Sequence, residues 1–307
     1  MNPPTSWPLD SKRQSQPRRE RPYLKAAAPA TEPPPTMSLR WLLGAFGAVV
    51  AASAVLLYIT LSVLFYAGQW QLVLHPTYKI TATPQAKFED IHFDYTETGV
   101  ARLDGWWIPA DAGSQWTGSA VLYLHGANGS LSNYVADLEA LHGLGVNVFA
   151  FDYRGYGKSK GPHPTEARMN ADADAAWRYL TDTRHMNPER IVIYGTGYGA
   201  SVAADLAARH APAGVVLDAP NEPARNVIST DGRAKMLPMW LLLREHFDPT
   251  ATLKTLAVPK LFLDRNGAQT RTEQLYQVAA TPKDYFELKD GAGYQAAMTR
   301  FLDGVLR

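Results

Sequence analysis

Two kinds of hydrophobic pattern follow one another along the chain. The first is a single uninterrupted apolar stretch at 41–66, whose 26 residues include no charged side chain. Roughly 20 apolar residues are enough to cross a bilayer as a helix. The pattern therefore predicts a transmembrane helix, with its flanks at 37–68, whose partner is the lipid bilayer through residues 41–66.

From residue 87 onward, short apolar runs alternate with amphipathic segments. The first two runs have the strand period of two around Glu97-Thr98-Gly99 and predict a β-hairpin. Strands that alternate with helices after an opening hairpin predict an α/β fold, a mostly parallel, doubly wound sheet with helices on both faces. The predicted strands are 87–96, 101–109, 120–124, 146–153, a run from Ile191, 214–217, 259–263 and 285–288. The predicted helices are 131–144, 165–183, a segment ending at His210, 271–280 and 296–306.

These patterns divide the chain into four parts. Residues 1–36 are rich in proline, basic and small polar residues and predict a disordered segment. The anchor at 37–68 and a linker at 69–86 precede an α/β domain at 87–307. Within that domain, 220–253 is irregular except for an amphipathic piece at 240–247, which is typical of a small cap. Met37 is an alternative start to Met1.

The distribution of basic residues predicts the orientation of the helix, because cytoplasmic flanks carry an excess of Lys and Arg. After the helix, the first basic residue is Lys79. The N-terminus is therefore predicted to be cytoplasmic and the large domain extracytoplasmic, which is periplasmic in a bacterium. Ala52-Ser53-Ala54 leaves a cleaved signal peptide open as the alternative. The basic residues before the helix are Lys12, Arg13, Arg18, Arg19, Arg21, Lys25 and Arg40, and the aromatic residues expected at the interface are Tyr66, Trp70 and Tyr78.

Charge and composition exclude several classes of function. The net charge of +1 provides no dense basic surface for a phosphate backbone, so nucleic acid is not an expected partner. The chain has no cysteine, which excludes disulfides, thiolate metal sites and a cysteine nucleophile. Because no His, Asp or Glu cluster has metal-ligand spacing, we expect neither a metal nor another cofactor.

The most informative motif lies at 191–210, where a β-branched run ends in Gly195-Thr196-Gly197-Tyr198-Gly199 and an alanine-rich helix follows. This strand, tight turn and helix resemble the G-x-S-x-G nucleophile elbow of the α/β-hydrolase superfamily. His125-Gly126-Ala127-Asn128-Gly129 resembles the oxyanion loop of that superfamily. The segment 151–159 resembles its D-x-R-G-x-G-x-S turn. Over about 70–307, the chain is similar to the membrane-anchored lipase and serine-aminopeptidase-like branch, which implies an α/β-hydrolase fold with a small cap.

The resemblance implies a catalytic triad, and the sequence departs from it at all three positions. Gly197 occupies the place of the nucleophilic serine, Ala268 that of the acid and Tyr294 that of the histidine. Removing the serine or the histidine alone costs about 10⁶ in turnover. The sequence therefore predicts a degenerate triad and a pseudoenzyme that acts by binding a protein partner or a small acyl or carboxylate ligand.

Several residues are expected to support that binding site. The oxyanion loop consists of His125, Gly126 and Ala127, and its backbone N–H donors, at Ala127 and Tyr198, survive any change of side chain. Asp152 and Arg154 are expected to form a buried pair that anchors the turn at Gly155, and Tyr194, Tyr198 and Tyr294 to fill the site with apolar bulk.

Two other interpretations remain open at this stage. In the first, the chain is an active serine-type hydrolase for an ester, thioester or amide, with Ser201 as a displaced nucleophile. In the second, Gly195-x-Gly197-x-x-Ala200 is a dinucleotide fingerprint, and Asp218 binds a ribose hydroxyl of NAD(P).

Overall fold

The structure is a computed structural model that describes residues 37–94, 102–265, 271–289 and 291–306. Two compact units are distinguished, Met1–Val55 and Leu56–Arg307. Helix α1, Leu39–Gly68, begins in the first unit and ends in the second. Its length and composition are sufficient for it to cross a membrane. It extends the predicted apolar stretch by two residues at each end.

An eight-stranded sheet forms the centre of the second unit, with the strand order β10-β9-β8-β7-β4-β6-β3-β2. β3 pairs antiparallel with β2 and with β6, and the other neighbours pair in parallel. This is the mostly parallel, doubly wound sheet that the sequence predicts. The strands of the sheet are β2 Glu89–Asp94, β3 Arg102–Ile108, β4 Trp116–Leu124, β6 Val146–Phe151, β7 Ile191–Thr196, β8 Gly214–Asp218, β9 Lys260–Asp264 and β10 Lys283–Glu287.

Both faces of the sheet are covered by helices. The main helices are α2 Val135–His142, α3 Glu166–Arg178, α4 Gly199–His210, α8 Arg271–Val278 and α9 Gly291–Val305. Residues of α2 and α9 share one hydrophobic core with Val192 and Tyr194 of β7, whereas those of α3, α4 and α8 share a second core with Ile191 and Ile193. Successive residues of a strand point to opposite faces, so a central strand covered on both sides is apolar along its length.

The predicted hairpin is present as the antiparallel pair of β2 and β3, whose register joins Asp94 to Arg102. The turn that was predicted at Glu97-Thr98-Gly99 lies outside the described residues.

The segment 69–86, interpreted from the sequence as a linker, contributes to the packing of the second unit. A 3₁₀ turn at Gln69–Leu72 leads to Val73 and Leu74, which are both buried. Strand β1, His75–Pro76, then pairs in parallel with β5, Asn128–Gly129, in the predicted oxyanion loop. This pairing holds the chain after α1 against that loop.

The cap region contains three short helices, α5 Ala224–Ser229, α6 Met239–Leu242 and α7 Thr250–Leu253. A reciprocal set of hydrogen bonds holds its last part to the start of α3. The Glu166 N–H donates to Glu245 Oε2, and the Glu166 carboxylate accepts from the N–H groups of His246 and Phe247, all at 2.7 Å. The two glutamates thereby satisfy backbone donors that a loop would otherwise leave open.

Candidate functional site

The predicted elbow is a sharp turn between β7 and α4. Gly197 has φ +58°, in the left-handed region that side chains other than glycine rarely adopt. Its N–H donates to the carbonyl oxygen of Asp218 at 3.1 Å, which fixes the turn to the end of β8. A Cβ on Gly199 would collide with the backbone at Leu124 and His125, because the helix begins directly against the neighbouring strand end. The local geometry is therefore a strained strand-to-helix turn of the kind an elbow needs.

The space above Gly197 is occupied by an amide. A Cβ built on Gly197 would lie 2.6 Å from Oδ1 of Asn221, and the Asn221 N–H approaches the Gly197 carbonyl oxygen at 3.4 Å. Asn221 follows β8 in the cap segment and is exposed. No pattern in the sequence points to Asn221, since only the fold brings the chain after β8 over the elbow.

We expect Gly197→Ser to destabilise the protein by about 1–3 kcal/mol, because serine is strained at this φ and its Cβ meets Asn221. Thermal unfolding of the variant against wild type measures this effect. Gly197→Ser combined with Asn221→Gly relieves the contact but not the strain, and we expect it to lose less stability relative to Asn221→Gly alone. A Gly197→Ser protein as stable as wild type would contradict this account.

The predicted oxyanion loop lies directly beside the elbow. The Cα of Gly126 would be 3.6 Å from a Cβ on Gly197. The loop is held from outside, since the Ala127 carbonyl oxygen accepts from His75 N at 2.9 Å and from the Tyr156 hydroxyl at 2.8 Å. Among the described residues, neither the Ala127 N–H nor the Tyr198 N–H donates to a protein acceptor. Two open backbone donors at a helix start suit a carbonyl or carboxylate oxygen.

His125 is fully buried beneath this loop. Its Nδ1 lies 2.7 Å from the Gly126 carbonyl oxygen, and its Nε2 lies 3.7 Å from Asp152 Oδ1. The rings of Tyr153 and Tyr156 pack against the imidazole at 4.6 and 4.9 Å between centroids. Burial lowers the pKa of His125 to about 4. His125 is thus a neutral packing residue that supports the loop.

The turn after β6 is anchored by a different pairing from the one predicted. The prediction that Asp152 pairs with Arg154 is wrong. The Arg154 guanidinium is paired instead with the fully buried Asp172 of α3. Asp152 instead accepts from the Leu131 N–H at 2.8 Å. Gly155 stands in the left-handed region, φ +81°, against Pro164. Sequence spacing favoured two residues on the same turn, whereas α3 brings its own carboxylate into the core.

Burial gives Asp152 an unusual titration, raising its pKa from 3.8 to about 7, although the Leu131 N–H opposes the shift. When the pKa of a carboxyl is higher in the folded than in the unfolded state, the unfolded state releases the proton first. The free energy of unfolding therefore falls as the pH rises from about 4 to about 7. We expect Asp152→Asn, whose amide oxygen still accepts from Leu131, to be more stable than wild type at pH 8 by roughly 2–4 kcal/mol.

The gain from Asp152→Asn should vanish near pH 4, where wild-type Asp152 is protonated; thermal unfolding of both proteins across pH 4–8 measures it. The lowered pKa of His125 acts in the opposite direction, since its contribution is present above pH 6.5 and is lost as the pH falls toward 4. Since His125 stays neutral in the folded state down to about pH 4, both proteins share this effect over the range measured, except near pH 4, where its Nε2, 3.7 Å from Asp152 Oδ1, senses the substitution. A gain that is independent of pH would argue against a buried, titrating carboxyl.

The predicted histidine position, Tyr294, lies in the first turn of α9. The helix starts at Gly291, five residues before the predicted start, which places the ring in the core shared by α2, α9 and the sheet. Burial raises the pKa of Tyr294 well above its ordinary value. A buried phenol with a raised pKa is a poor base at neutral pH.

An ion-pair network lies at the carboxyl edge of the sheet next to the elbow. Asp218, at the end of β8 and opposite Thr196 in the register, is fully buried. The Arg265 guanidinium donates to Asp218 through Nε and Nη2 at 2.8 and 2.6 Å, and the Tyr194 hydroxyl donates at 2.6 Å. Arg265 also reaches Asp137 at 3.3 Å, and Asp137 accepts from the Tyr123 hydroxyl at 3.0 Å.

Of the residues in this network, the sequence singled out only Asp218 and Tyr194, and Tyr194 only as apolar bulk. The five residues lie on β4, α2, β7 and β8 and directly after β9. Hydrogen bonding to Asp218 raises the pKa of Arg265, and burial raises that of Asp137. The only sequence signal for it is the position of Asp218 and Arg265 at the carboxyl ends of strands that turn out to be neighbours. One guanidinium and two carboxylates thus form a polar cluster that is buried at Asp218 and reaches solvent at Arg265.

A comparison with protein families decides the affiliation of the chain. The family profile described as "Serine aminopeptidase, S33" matches residues 117–285, more than half of the chain. The chain belongs to this S33 family. The match includes the oxyanion loop, the elbow and the network residue Arg265, and it ends before Tyr294.

Relatives and solved structures agree with the family. An uncharacterized protein of Mycobacterium tuberculosis is 35% identical over 221 residues, which cover 67% of this chain and 76% of that protein. The esterase Pf2001 of Pyrococcus furiosus aligns with a TM-score of 0.58 and 21% identity, covering 76% of this chain and all of that chain. An alpha-beta hydrolase from Vibrio vulnificus has a TM-score of 0.55 and 24% identity, with coverages of 71% and 78%. The predicted α/β-hydrolase fold is confirmed.

Ser201, the alternative nucleophile for an active S33 enzyme, lies in the first turn of α4. It is buried, and its hydroxyl donates to the carbonyl oxygen of Phe247 at 3.0 Å. A hydroxyl that ties the elbow helix to the cap in this way has a structural role. The third predicted triad position, Ala268, lies outside the described residues.

The dinucleotide interpretation meets two obstacles in this S33 member. Both carboxylate oxygens of Asp218 accept hydrogen bonds from within the protein, from Arg265 and Tyr194, so neither is open to a ribose hydroxyl. Gly197, the fingerprint glycine at which the pyrophosphate would approach the backbone, has Oδ1 of Asn221 in that space. Among the residues that the structure describes, no three His, Asp or Glu side chains are arranged to hold a metal ion, and the absence of a cofactor stays a prediction.

Proposed function

We propose that this S33 family member is a membrane-anchored pseudoenzyme that binds a small acyl or carboxylate ligand at the elbow without cleaving it. The observation that carries the proposal is the turn at Gly197, where the place of a nucleophilic side chain is taken by the amide of Asn221. Without an attacking oxygen at that point, the fold retains the means to position an acyl group but not to transfer it.

The surroundings of the elbow support the absence of a base. Tyr294 is buried in the core of α9, and His125 is buried beneath the loop with its pKa lowered to about 4. Asp218 is engaged by Arg265 rather than by an imidazole. Since a triad acts as a unit, replacing its serine alone costs nearly as much as replacing all three members.

The binding function is supported by two features of the elbow, its open backbone N–H donors and an aromatic contact with the cap. The N–H donors of Ala127 and Tyr198 stand at the junction of the loop and α4, where the helix dipole favours a negative charge. The Tyr198 ring packs on Phe247 of the cap at 4.8 Å between centroids and supplies an apolar wall. A carboxylate with a short acyl chain matches both features.

The anchoring function is supported by α1, which has the length and composition of a membrane span. The basic residues before it favour a cytoplasmic N-terminus and an extracytoplasmic domain. A cysteine scan with a membrane-impermeant thiol reagent tests this orientation, because the chain has no cysteine of its own. Labelling of an introduced Cys at Thr117 from the cytoplasmic side alone would overturn it.

The ligand is tested with octanoate as the probe, by calorimetry on the full-length protein in detergent. We expect binding, and we expect Asn221→Asp to weaken it by about tenfold, since a negative charge beside the two N–H donors repels a carboxylate. Gln277→Glu, on the exposed face of α8, adds the same charge away from the elbow and serves as the matched control. Octanoate binding that is absent, or that both variants weaken equally, would refute the elbow as the ligand site.

A further inference from the structure

An apolar groove lies between the second half of α1 and the cap. Tyr58, Leu61, Leu64 and Phe65 line it from the helix, and Arg233, Met236 and Leu237 line it from the cap. We call this the cap–helix groove. It has a volume of about 250 Å³. It is separate from the elbow and from the ion-pair network at Asp218, neither of which contributes a lining residue.

The helix is fixed to the cap at the end of the groove. Gln69 is buried, and its side-chain amide donates to the Leu242 carbonyl oxygen at 2.7 Å and accepts from the Arg244 N–H at 3.0 Å. The Arg244 guanidinium lies 4.8 Å from the centre of the Tyr66 ring, a cation–π contact. These contacts hold the cap beside the last turns of α1. A molecule or solvent phase that surrounds those turns therefore also contacts the cap.

The cap presents bare apolar side chains next to the groove. Met236 is 72% exposed, Trp240 87% and Leu241 62%. Single exposed apolar residues are ordinary, but a cluster continuous with an apolar helix marks a contact surface. Tryptophan is favoured at the membrane interface, where its ring is apolar and its N–H meets headgroups and water.

We propose that the cap–helix groove holds an acyl chain of a membrane lipid and that Met236, Trp240 and Leu241 lie in the lipid interface. This inference rests on the membrane anchoring proposed above. Lipid is the occupant that the structure favours, because one wall of the groove is the membrane-spanning candidate itself and the lining is apolar apart from its rim. At that rim Arg233, paired with Asp231 at 2.8 Å, stays two-thirds exposed and keeps its charge among polar headgroups.

The cap contact is tested by single cysteines in the cysteine-free chain, labelled with bimane in phosphatidylcholine nanodiscs that contain nitroxide-labelled lipid. Trp240→Cys reports the cap, Ala51→Cys the middle of α1, and Thr117→Cys the exposed start of the central strand β4. We expect the lipid to quench the labels at 51 and 240 and to leave the label at 117 bright. Quenching at 51 alone would overturn the cap contact and leave the anchor standing, whereas a bright label at 51 would overturn the anchor itself.

The groove is tested with phosphatidylcholine that carries a diazirine in one acyl chain. We expect photo-crosslinks on Leu61, Met236 or Leu237, and we expect Leu61→Trp, which fills the groove, to remove those on the cap. Val63→Trp adds the same bulk outside the groove lining and should leave them unchanged. Crosslinks confined to residues of α1 outside the groove, or cap crosslinks that Leu61→Trp leaves intact, would show that the groove holds no lipid chain.

Discussion

Full-length protein in detergent is expected to remain unlabelled by a fluorophosphonate probe and to hydrolyse p-nitrophenyl butyrate about 10⁶-fold more slowly than an active esterase. The reason is local: Gly197 offers no hydroxyl, and the space where one would stand contains Oδ1 of Asn221. Loss of the serine alone lowers turnover by about 10⁶, and the oxyanion donors and binding leave about 10³–10⁴ over water. An active esterase of the same fold, such as the Pyrococcus furiosus protein, provides the positive control.

Labelling in one-to-one stoichiometry would show that a nucleophile exists elsewhere. Ser201→Ala then decides between the displaced serine and a different residue, because Ser201 is the predicted alternative. The structure assigns the Ser201 hydroxyl to the Phe247 carbonyl oxygen, so we expect this substitution to change stability but not reactivity. Tyr198→Phe is a useful second variant, since it removes a hydroxyl near the elbow and preserves the ring that packs on Phe247.

The fold was accessible from the sequence because its signals are local and periodic. Apolar β-branched runs predicted the central strands. In β7, Ile191 and Ile193 lie in one core and Val192 and Tyr194 in the other, as the strand period of two requires. The start of α9 was placed five residues too late, because Gly291-Ala292-Gly293 reads as a loop when its burial is unknown. The buried position of Val73 and Leu74 could not be predicted either, because two neighbouring apolar residues are too few to show a helix or strand period.

The site was accessible only where a backbone conformation leaves a signature in the residue types. Glycines at 195, 197 and 199 indicated the tight turn, and the loop at 125–129 was found beside it. Asn221 over the elbow, Asp172 beneath Arg154 and Asp137 beside Arg265 could not be predicted, because each pairs residues from elements distant in the sequence. Long-range polar pairing depends on the packed geometry, which no spacing rule encodes.

The network at Asp218 shows how this chain satisfies a buried carboxylate next to the elbow. In an active site, a buried carboxylate next to the elbow is satisfied by an imidazole that also serves catalysis. Here Arg265 and Tyr194 satisfy Asp218 instead. The arginine is a permanent cation with no proton to exchange at neutral pH, so the arrangement is suited to structure rather than to acid–base chemistry.

The largest loss of stability is expected from Arg265→Ala. Asp218 has no exposure to solvent, so among the described residues the variant leaves its carboxylate only the Tyr194 hydroxyl as a hydrogen-bond donor. Breaking a buried pair in this way costs about 3–5 kcal/mol, and because Arg265 is itself 41% exposed we expect the lower end, about 3 kcal/mol. Chemical denaturation of the full-length protein at pH 7 measures it.

The matched variant Asp218→Asn is expected to cost less than Arg265→Ala. It leaves the guanidinium partly solvated and still 3.3 Å from Asp137, whereas Arg265→Ala leaves a charge without solvent. Equal losses from both variants would mean that solvent screens the pair and that Asp218 is not the buried charge around which this edge of the sheet is built.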